Sequence, residues 1–159
     1  GAGLPPHDDN GPKWSYFQPF LADPAQKPSP FYIEQAHLAA LELLRLRAST
    51  RLFRLASGHA VRTKVTFPVS NTAHQPPGVI VMRIDDRAGE PVQQQWTGLV
   101  TVFNGTPIAV RLRIPGLSSR FVLHPVQAGG HDPVVKRARV EGQWASVPAR
   151  SFAVFVEPR

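Results

Sequence analysis

The chain has 159 residues, a formal net charge of +7 and no cysteine, which excludes a disulfide framework and a thiolate metal site. At 17.5 kDa it fits one ordinary domain with an attached arm. Hydrophobic residues at 42% provide a sizeable core and exclude wholesale disorder, while 18% charged residues and 17 prolines suit short strands and punctuated loops better than a helical bundle.

A pI near 10.8 raises the question of nucleic acid or acidic membrane surfaces. The basic residues are scattered, however. Arg45 and Arg47, Arg62 and Lys64, and Arg111 and Arg113 sit mostly at alternate positions of strand-like runs, where they read as solvated faces. The densest run, Lys136-Arg137-Ala138-Arg139, is too short for a strong patch, so neither nucleic acid nor membrane is expected as a partner. No apolar run approaches the length of a membrane span, and the first residues do not read as a signal peptide. Gly1-Ala2-Gly3-Leu4-Pro5-Pro6 reads as mid-loop, as if cut from a longer chain, and nothing in the segment speaks for a compartment.

Residues 1–30 are rich in Pro, Gly, Asp and Asn, with Trp14, Tyr16, Phe17 and Phe20 interleaved. Polar linkers rarely carry four aromatics, so this arm is expected to lie against something, held extended by Asp23-Pro24 and Lys27-Pro28-Ser29-Pro30. Residues 31–48 form the one convincing helix, with Ser29 as its cap and Pro30 at its first position. Glu34, Gln35, Glu42 and Arg45 gather on one side. Ile33, Ala36, Ala39, Ala40, Leu43, Leu44 and Leu46 cover more than half the circumference. That is too wide a stripe for a helix lying on one surface, and it predicts burial between two bodies.

From residue 52 the pattern turns to β. Val61, Thr63, Val65 and Phe67 alternate with polar residues, and runs follow at Val79–Met82, Leu99–Phe103, Val110–Ile114, Phe121–Leu123, Val134–Val140 and Phe152–Val156. Turn signals such as Asn104-Gly105 and Gly129-Gly130 separate them. The spacing predicts a mainly β, antiparallel, Greek-key-like sandwich of about seven or eight short strands over residues 51–159, with residues 1–50 as arm and helix.

Chemistry-bearing motifs are absent from the sequence: no GxSxG elbow, HExxH, Walker loop or GxGxxG occurs. His7, His37, His59, His74, His124 and His131 are spread without ligand spacing, so no metal or cofactor is expected. His7-Asp8-Asp9-Asn10 and Asp85-Asp86 lack the offsets of a calcium loop and read as turns. No pair of carboxylates is framed for glycosidic cleavage. The sugar-stacking candidates are Trp14, Trp96 and Trp144, although tryptophan in a small sandwich more often serves the core.

The wording of several segments adds a resemblance. Gly3-Leu4-Pro5-Pro6, Asn10, Trp14, Leu21-Ala22-Asp23-Pro24 and Lys27-Pro28 resemble the stretch that closes the catalytic barrel of bacterial pullulanases and plant limit dextrinases. Leu43–Ser49 with Leu52-Phe53-Arg54-Leu55 is similar to the last barrel helix and its exit. Pro77–Asp86, Val102-Phe103-Asn104, Leu123–Gln127 and Val147-Pro148 through Phe155–Pro158 follow in the family's order. Phe67–Thr72 departs from the pattern, standing where the family has a shorter, usually His-containing loop, and so does Gln93-Gln94-Gln95.

The resemblance implies a segment of a starch-debranching enzyme of the α-amylase superfamily, one that hydrolyses α-1,6-glucosidic branch points. It also implies that residues 1–50 belong to a (β/α)8 barrel absent from this chain, and that the catalytic carboxylates lie before Gly1. No catalytic residue is then expected here, and calcium, if used, would be the parent's. The expected partners are that barrel and, through the parent, α-glucan. The apolar helix face should be exposed or drive self-association. Two further readings stand beside this structural role. One is a stand-alone α-glucan-binding module acting through Trp96 or Trp144, and the other a basic nucleic-acid-binding sandwich. The latter is weakened because the aromatics are not interleaved with the basic strand residues.

Overall fold

A computed structural model describes residues 3–159. The elements, in chain order, are α1 (His7–Asn10), α2 (Trp14–Ala22), α3 (Pro30–Ala48), α4 (Gly58–Lys64), β1 (Val65–Thr66), β2 (Val79–Asp85), β3 (Trp96–Asn104), β4 (Val110–Arg113), β5 (Val122–Leu123), α5 (Pro125–Ala128), β6 (Arg139–Glu141), β7 (Trp144–Val147) and β8 (Ser151–Pro158). Short 3-10 turns lie at Gly11–Lys13, Pro24–Gln26, Arg51–Arg54 and Val135–Arg137. The chain divides into two compact units, one ending at Leu38 and the other Ala39–Arg159.

The first unit is helical where an extended arm is expected. Its prolines explain the difference: Pro12 and Pro24 occupy first-turn positions of 3-10 turns, where a missing N–H costs nothing. Pro19 lies inside α2, and the helix tolerates it over a length of 9 residues. Asp23 ends α2 and caps the next turn, its Oδ1 accepting from the Ala25 N–H at 2.9 Å. Tyr16 meets Phe17 and Phe20 edge-on, and both Tyr16 and Phe20 stay largely exposed.

In the second unit eight strands form two antiparallel sheets, as the spacing predicts. The five-stranded sheet has the order β1-β2-β3-β8-β5 and the three-stranded sheet β4-β7-β6. The chain leaves the first sheet after β3, returns for β5, crosses again for the β6–β7 hairpin and finishes with β8 between β3 and β5. The alternation of β2, β3 and β8 places one set of side chains between the sheets. Val79, Val81, Val100, Val102, Ala153 and Phe155 meet Leu112, Ala145 and Val147 there, all buried. The opposite set, Ile84, Leu99, Val154 and Val156, packs on Leu46 of α3 and Leu52 of the following 3-10 turn. Fully burying each of these leucines contributes roughly 1.5–3 kcal/mol. At one end Asn104 is buried and donates to the carbonyls of Ile108 (2.9 Å) and Pro148 (2.8 Å), closing the β3–β4 loop on the β7–β8 turn.

Three local expectations are corrected. Residues 61–64 are helical, because Ser57 caps α4 by accepting from the Ala60 N–H at 3.1 Å, and only Val65–Thr66 joins the sheet. Residues 134–138 form a turn, started by Asp132 accepting from the Val134 N–H at 2.7 Å, which buries Val135 and Ala138 three positions apart. Trp144–Val147, absent from the expected set, is the central strand of the smaller sheet. Among the described residues no helix is long and apolar enough to cross a membrane.

Helix α3 presents a further surprise. Its buried residues are Glu42 and Leu46, whereas Leu43 and Leu44 are exposed, Leu44 at 63%. The sandwich thus takes up a carboxylate from the side expected to be solvated and leaves leucines outside.

Candidate functional site

The three tryptophans have three different fates. Trp96 opens β3 and is 7% exposed, packed in the core beneath α3 with its ring 6.0 Å from that of His124. Its indole N–H has no hydrogen-bond partner among the described residues. Trp14 is half-buried in the first unit, its N–H donating to the Pro5 carbonyl at 2.9 Å and its ring meeting His7 edge-on at 4.9 Å. Both therefore hold structure in place. Trp144, on the outward face of the smaller sheet, is 39% exposed.

Strand register explains what surrounds Trp144. It pairs with Arg113 of β4 and Glu141 of β6, and the neighbouring row brings Arg111, Ser146 and Arg139 together. Arg111 lays its guanidinium 4.5 Å over the indole centroid, a cation–π contact. Arg139 donates to Glu141 at 2.9 Å, which holds that exposed carboxyl below the usual carboxylate range. Arg113 instead donates its Nε–H to a neutral acceptor, the Gln143 side-chain oxygen, at 2.9 Å. Gly142, at φ +59°, turns the β6–β7 hairpin and sets Gln143 beside the tryptophan. A cleft of about 860 Å³ runs from this group to the segment 68–76.

On the other sheet's outer side lies an apolar surface. Leu43 and Phe103 are exposed around a shallow groove of about 270 Å³ that Leu46, Phe53, Met82 and Phe152 also line, and Ile80, paired with Phe103 across the strands, is exposed as well. Phe103 and Phe152 stack with centroids 4.4 Å apart. Apart from Arg47 and Thr101 its lining is apolar, so its chemistry is chiefly that of packing.

The buried titratable groups are committed to structure. Lys64 forms an ion pair with Asp86 Oδ1 at 3.2 Å and donates to the Ala88 carbonyl at 2.7 Å, while Arg159 meets Asp86 Oδ2 at 2.8 Å. Burial holds the His124 imidazole down to about 4. Among the described residues no group of three or more His, Cys, Asp or Glu side chains could hold a metal ion. Sequence reasoning singled out Trp144 but missed Arg113, Gln143 and His74 beside it. Their only advance signal was the alternation of Arg111 and Arg113, which carries no information about which strand lies next to them.

Comparison with known proteins agrees with this geometry. Residues 1–158 match the model of the family described as alpha-1,6-glucosidases, pullulanase-type, C-terminal. Pullulanase 1, chloroplastic, of Arabidopsis thaliana is 38% identical over 168 residues, which cover 100% of this chain and 17% of that protein. Among solved structures, a maltotriose complex of PulA from Klebsiella pneumoniae superposes with a TM-score of 0.79 at 28% identity, over 99% of this chain and 17% of that one. PulA from Klebsiella oxytoca gives 0.72 at 26% identity, over 83% and 13%. The chain thus spans about a sixth of the length of the relatives it matches. A sandwich with one helix-backed sheet, matched along its whole length, makes this chain a member of the pullulanase-type alpha-1,6-glucosidase family, in that family's C-terminal region.

Proposed function

We propose that this chain is the structural C-terminal part of an enzyme that hydrolyses α-1,6-glucosidic linkages in α-glucans, and that its role is to support a catalytic barrel carried elsewhere in the same polypeptide. The observation that carries the reading is the outward-facing apolar set of the second unit. Leu43 and Leu44 on α3, with Ile80 and Phe103 on the sheet, are large side chains left exposed by a domain whose interior is otherwise complete. The first unit independently exposes Phe31, Tyr32 and Ile33. Contiguous exposed apolar surface of this kind marks an interaction face. The relatives' much greater length is consistent with a neighbouring domain of the same chain as its occupant. Catalysis in this reading belongs to carboxylates outside the segment.

The experiment compares one substitution in two contexts. In the 159-residue chain, at concentrations where it is monomeric, Leu44 is 63% exposed and Leu44→Asp should shift stability by no more than about 0.5 kcal/mol. In the full polypeptide it should lower the melting temperature and the pullulan-hydrolysing activity together. Equal indifference in both contexts refutes the supporting role. The isolated chain should also self-associate through the same face in sedimentation runs, and Leu44→Asp should return it to a monomer.

A further inference from the structure

We infer that the cleft beside Trp144 is a binding site for a segment of α-glucan chain, on a face of the sandwich separate from the apolar groove. The choice of α-glucan rests on the functional reading above, whereas the site itself rests on its walls. A pyranose ring is amphipathic: its C–H faces pack on aromatic and aliphatic surface, and its rim hydroxyls both donate and accept hydrogen bonds. The cleft offers that combination. On the sheet side are the exposed indole of Trp144, Arg113 and Gln143; on the loop side are Pro68, Thr72 and His74. Arg113 spends its Nε–H on the Gln143 oxygen, so its terminal nitrogens and the Gln143 amide N–H groups remain as side-by-side donors. A volume of about 860 Å³ lies in the range of small-molecule sites and accommodates a short oligosaccharide.

Both walls are fixed in advance. Arg111 holds the indole by stacking, and the Ile114 N–H donates to the Gln143 carbonyl at 2.9 Å, anchoring the hairpin tip. In the loop, Gln75 accepts from the Asn71 N–H at 2.9 Å and donates to the Val79 carbonyl at 3.1 Å, while the Thr72 hydroxyl donates to the Val69 carbonyl at 2.8 Å. Preorganisation of this kind lowers the ordering cost of binding.

A polyanion fits less well. Arg111 is already stacked on Trp144 and lies 3.7 Å from Glu141, Arg139 is paired with the same carboxylate, and Arg113 is turned to a neutral amide. The remaining lining is rich in proline, with Pro68, Pro76 and Pro115. Phosphate recognition asks for converging, unpaired cations.

The test is native electrophoresis of the 159-residue chain in gels containing amylopectin, hydroxyethyl cellulose or heparin, followed by titration with maltoheptaose monitored by NMR. Amylopectin should retard the chain. Trp144→Ala should weaken maltoheptaose binding by about tenfold or more, and His74→Ala, on the opposite wall, should weaken it less. Melting curves establish that each variant is folded, and should Trp144→Ala fail to fold, the His74→Ala variant carries the test. Retardation unchanged by both substitutions, or none in amylopectin, overturns the site. Retention in hydroxyethyl cellulose alone, or in heparin alone and lost with salt, overturns the ligand class. Failure of the supporting role would appear instead in the Leu44→Asp comparison, which leaves this cleft untouched.

Discussion

Glu42 accepts a hydrogen bond from the backbone N–H of His131 at 2.7 Å, and through that contact a helix that turns leucines to solvent is nevertheless seated on the sandwich. The carboxylate is buried, 89 residues away in sequence from its donor, and lies directly against Gly130. One polar contact of this kind fixes both the rotation and the height of the helix, which an apolar stripe alone would leave free to slip. Replacing Glu42 by Ala removes a charge-assisted, part-buried bond and takes that acceptor from the His131 N–H. The expected loss is about 1.5–3 kcal/mol, measured by urea unfolding of the chain. Glu42→Gln keeps an oxygen at the site and should recover part of it. A loss below 0.5 kcal/mol in Glu42→Ala would show that the leucine and not the carboxylate seats the helix.

Gly130 should be as sensitive as the carboxylate it faces. A Cβ at this position would run into Glu42 Oε2 and come within 2.7 Å of the Val126 carbonyl. Neither neighbour moves freely, because the first is held by His131 and the second belongs to the short helix α5. Gly130→Ala should cost about 1–3 kcal/mol through overpacking. Gly3→Ala, with open space around it, should change nothing measurable. The two melting temperatures, compared side by side, check the claim.

His124 predicts an acid-dependent weakening of the sandwich. Its Nδ1 accepts from the Val126 N–H at 3.1 Å, so the ring proton sits on Nε2 and points to the Ser49 hydroxyl at 3.0 Å, which in turn donates to the Leu46 carbonyl at 2.6 Å. Burial favours the neutral imidazole and holds the group down to about 4, from an ordinary 6.5. Because the folded state binds this proton less tightly than the unfolded one, its contribution is complete above pH 6.5 and is lost as pH falls towards 4. The loss is about 3 kcal/mol, with a slope approaching 1.4 kcal/mol per pH unit. Asp85 is left out of that window. Burial alone would raise it, but hydrogen bonds from Arg87 outweigh burial and bring it below 3.8. Unfolding curves between pH 7.5 and 4.5 should show the slope in the native chain and a much shallower one in His124→Asn, where Glu141 begins to contribute only at the acid end. A slope unchanged by that substitution would assign the effect to another group.

The parts of this fold that are legible in the sequence are those dictated by local pattern. β2, β3 and β8 alternate or run apolar because they are interior strands of a sheet with one face in the sandwich core and much of the other under α3, and the runs read at 79–82, 99–103 and 152–156 fall inside the observed strands 79–85, 96–104 and 151–158 for that reason. Val61–Phe67 alternates equally well, yet the Ser57 cap ahead of it decides for helix, a signal present in the sequence and outweighed by the alternation. Glu42 was legible as a surface residue and is not one, since its partner is a backbone group that no side-chain pattern records. Trp144 could be named as a candidate, but its cleft depends on β4 lying beside β7 and on a loop some 70 residues earlier. Long-range juxtaposition of this kind leaves no periodic trace.

The pair Lys64 and Asp86 gives the most severe prediction. Both side chains are almost fully buried, and the ammonium meets Oδ1 at 3.2 Å while also donating to the Asp86 and Ala88 carbonyls. Asp86 is satisfied on all sides, taking the Val92 N–H at 2.9 Å and the Arg159 guanidinium at 2.8 Å as well. The carboxylate therefore joins the end of α4, the 85–92 turn and the last residue of β8's extension into one cluster. Asp86→Ala strips the buried lysine of its counter-charge and should cost about 3–5 kcal/mol. Lys64→Met should cost less, because Arg159 continues to neutralise Asp86. The double variant Lys64→Met with Asp86→Ala should be more stable than Asp86→Ala alone, since it removes the stranded charge along with its partner. A double-mutant cycle in urea measures this coupling. Strict additivity of the two losses would mean that the ammonium is held by the backbone carbonyls and owes little to the carboxylate.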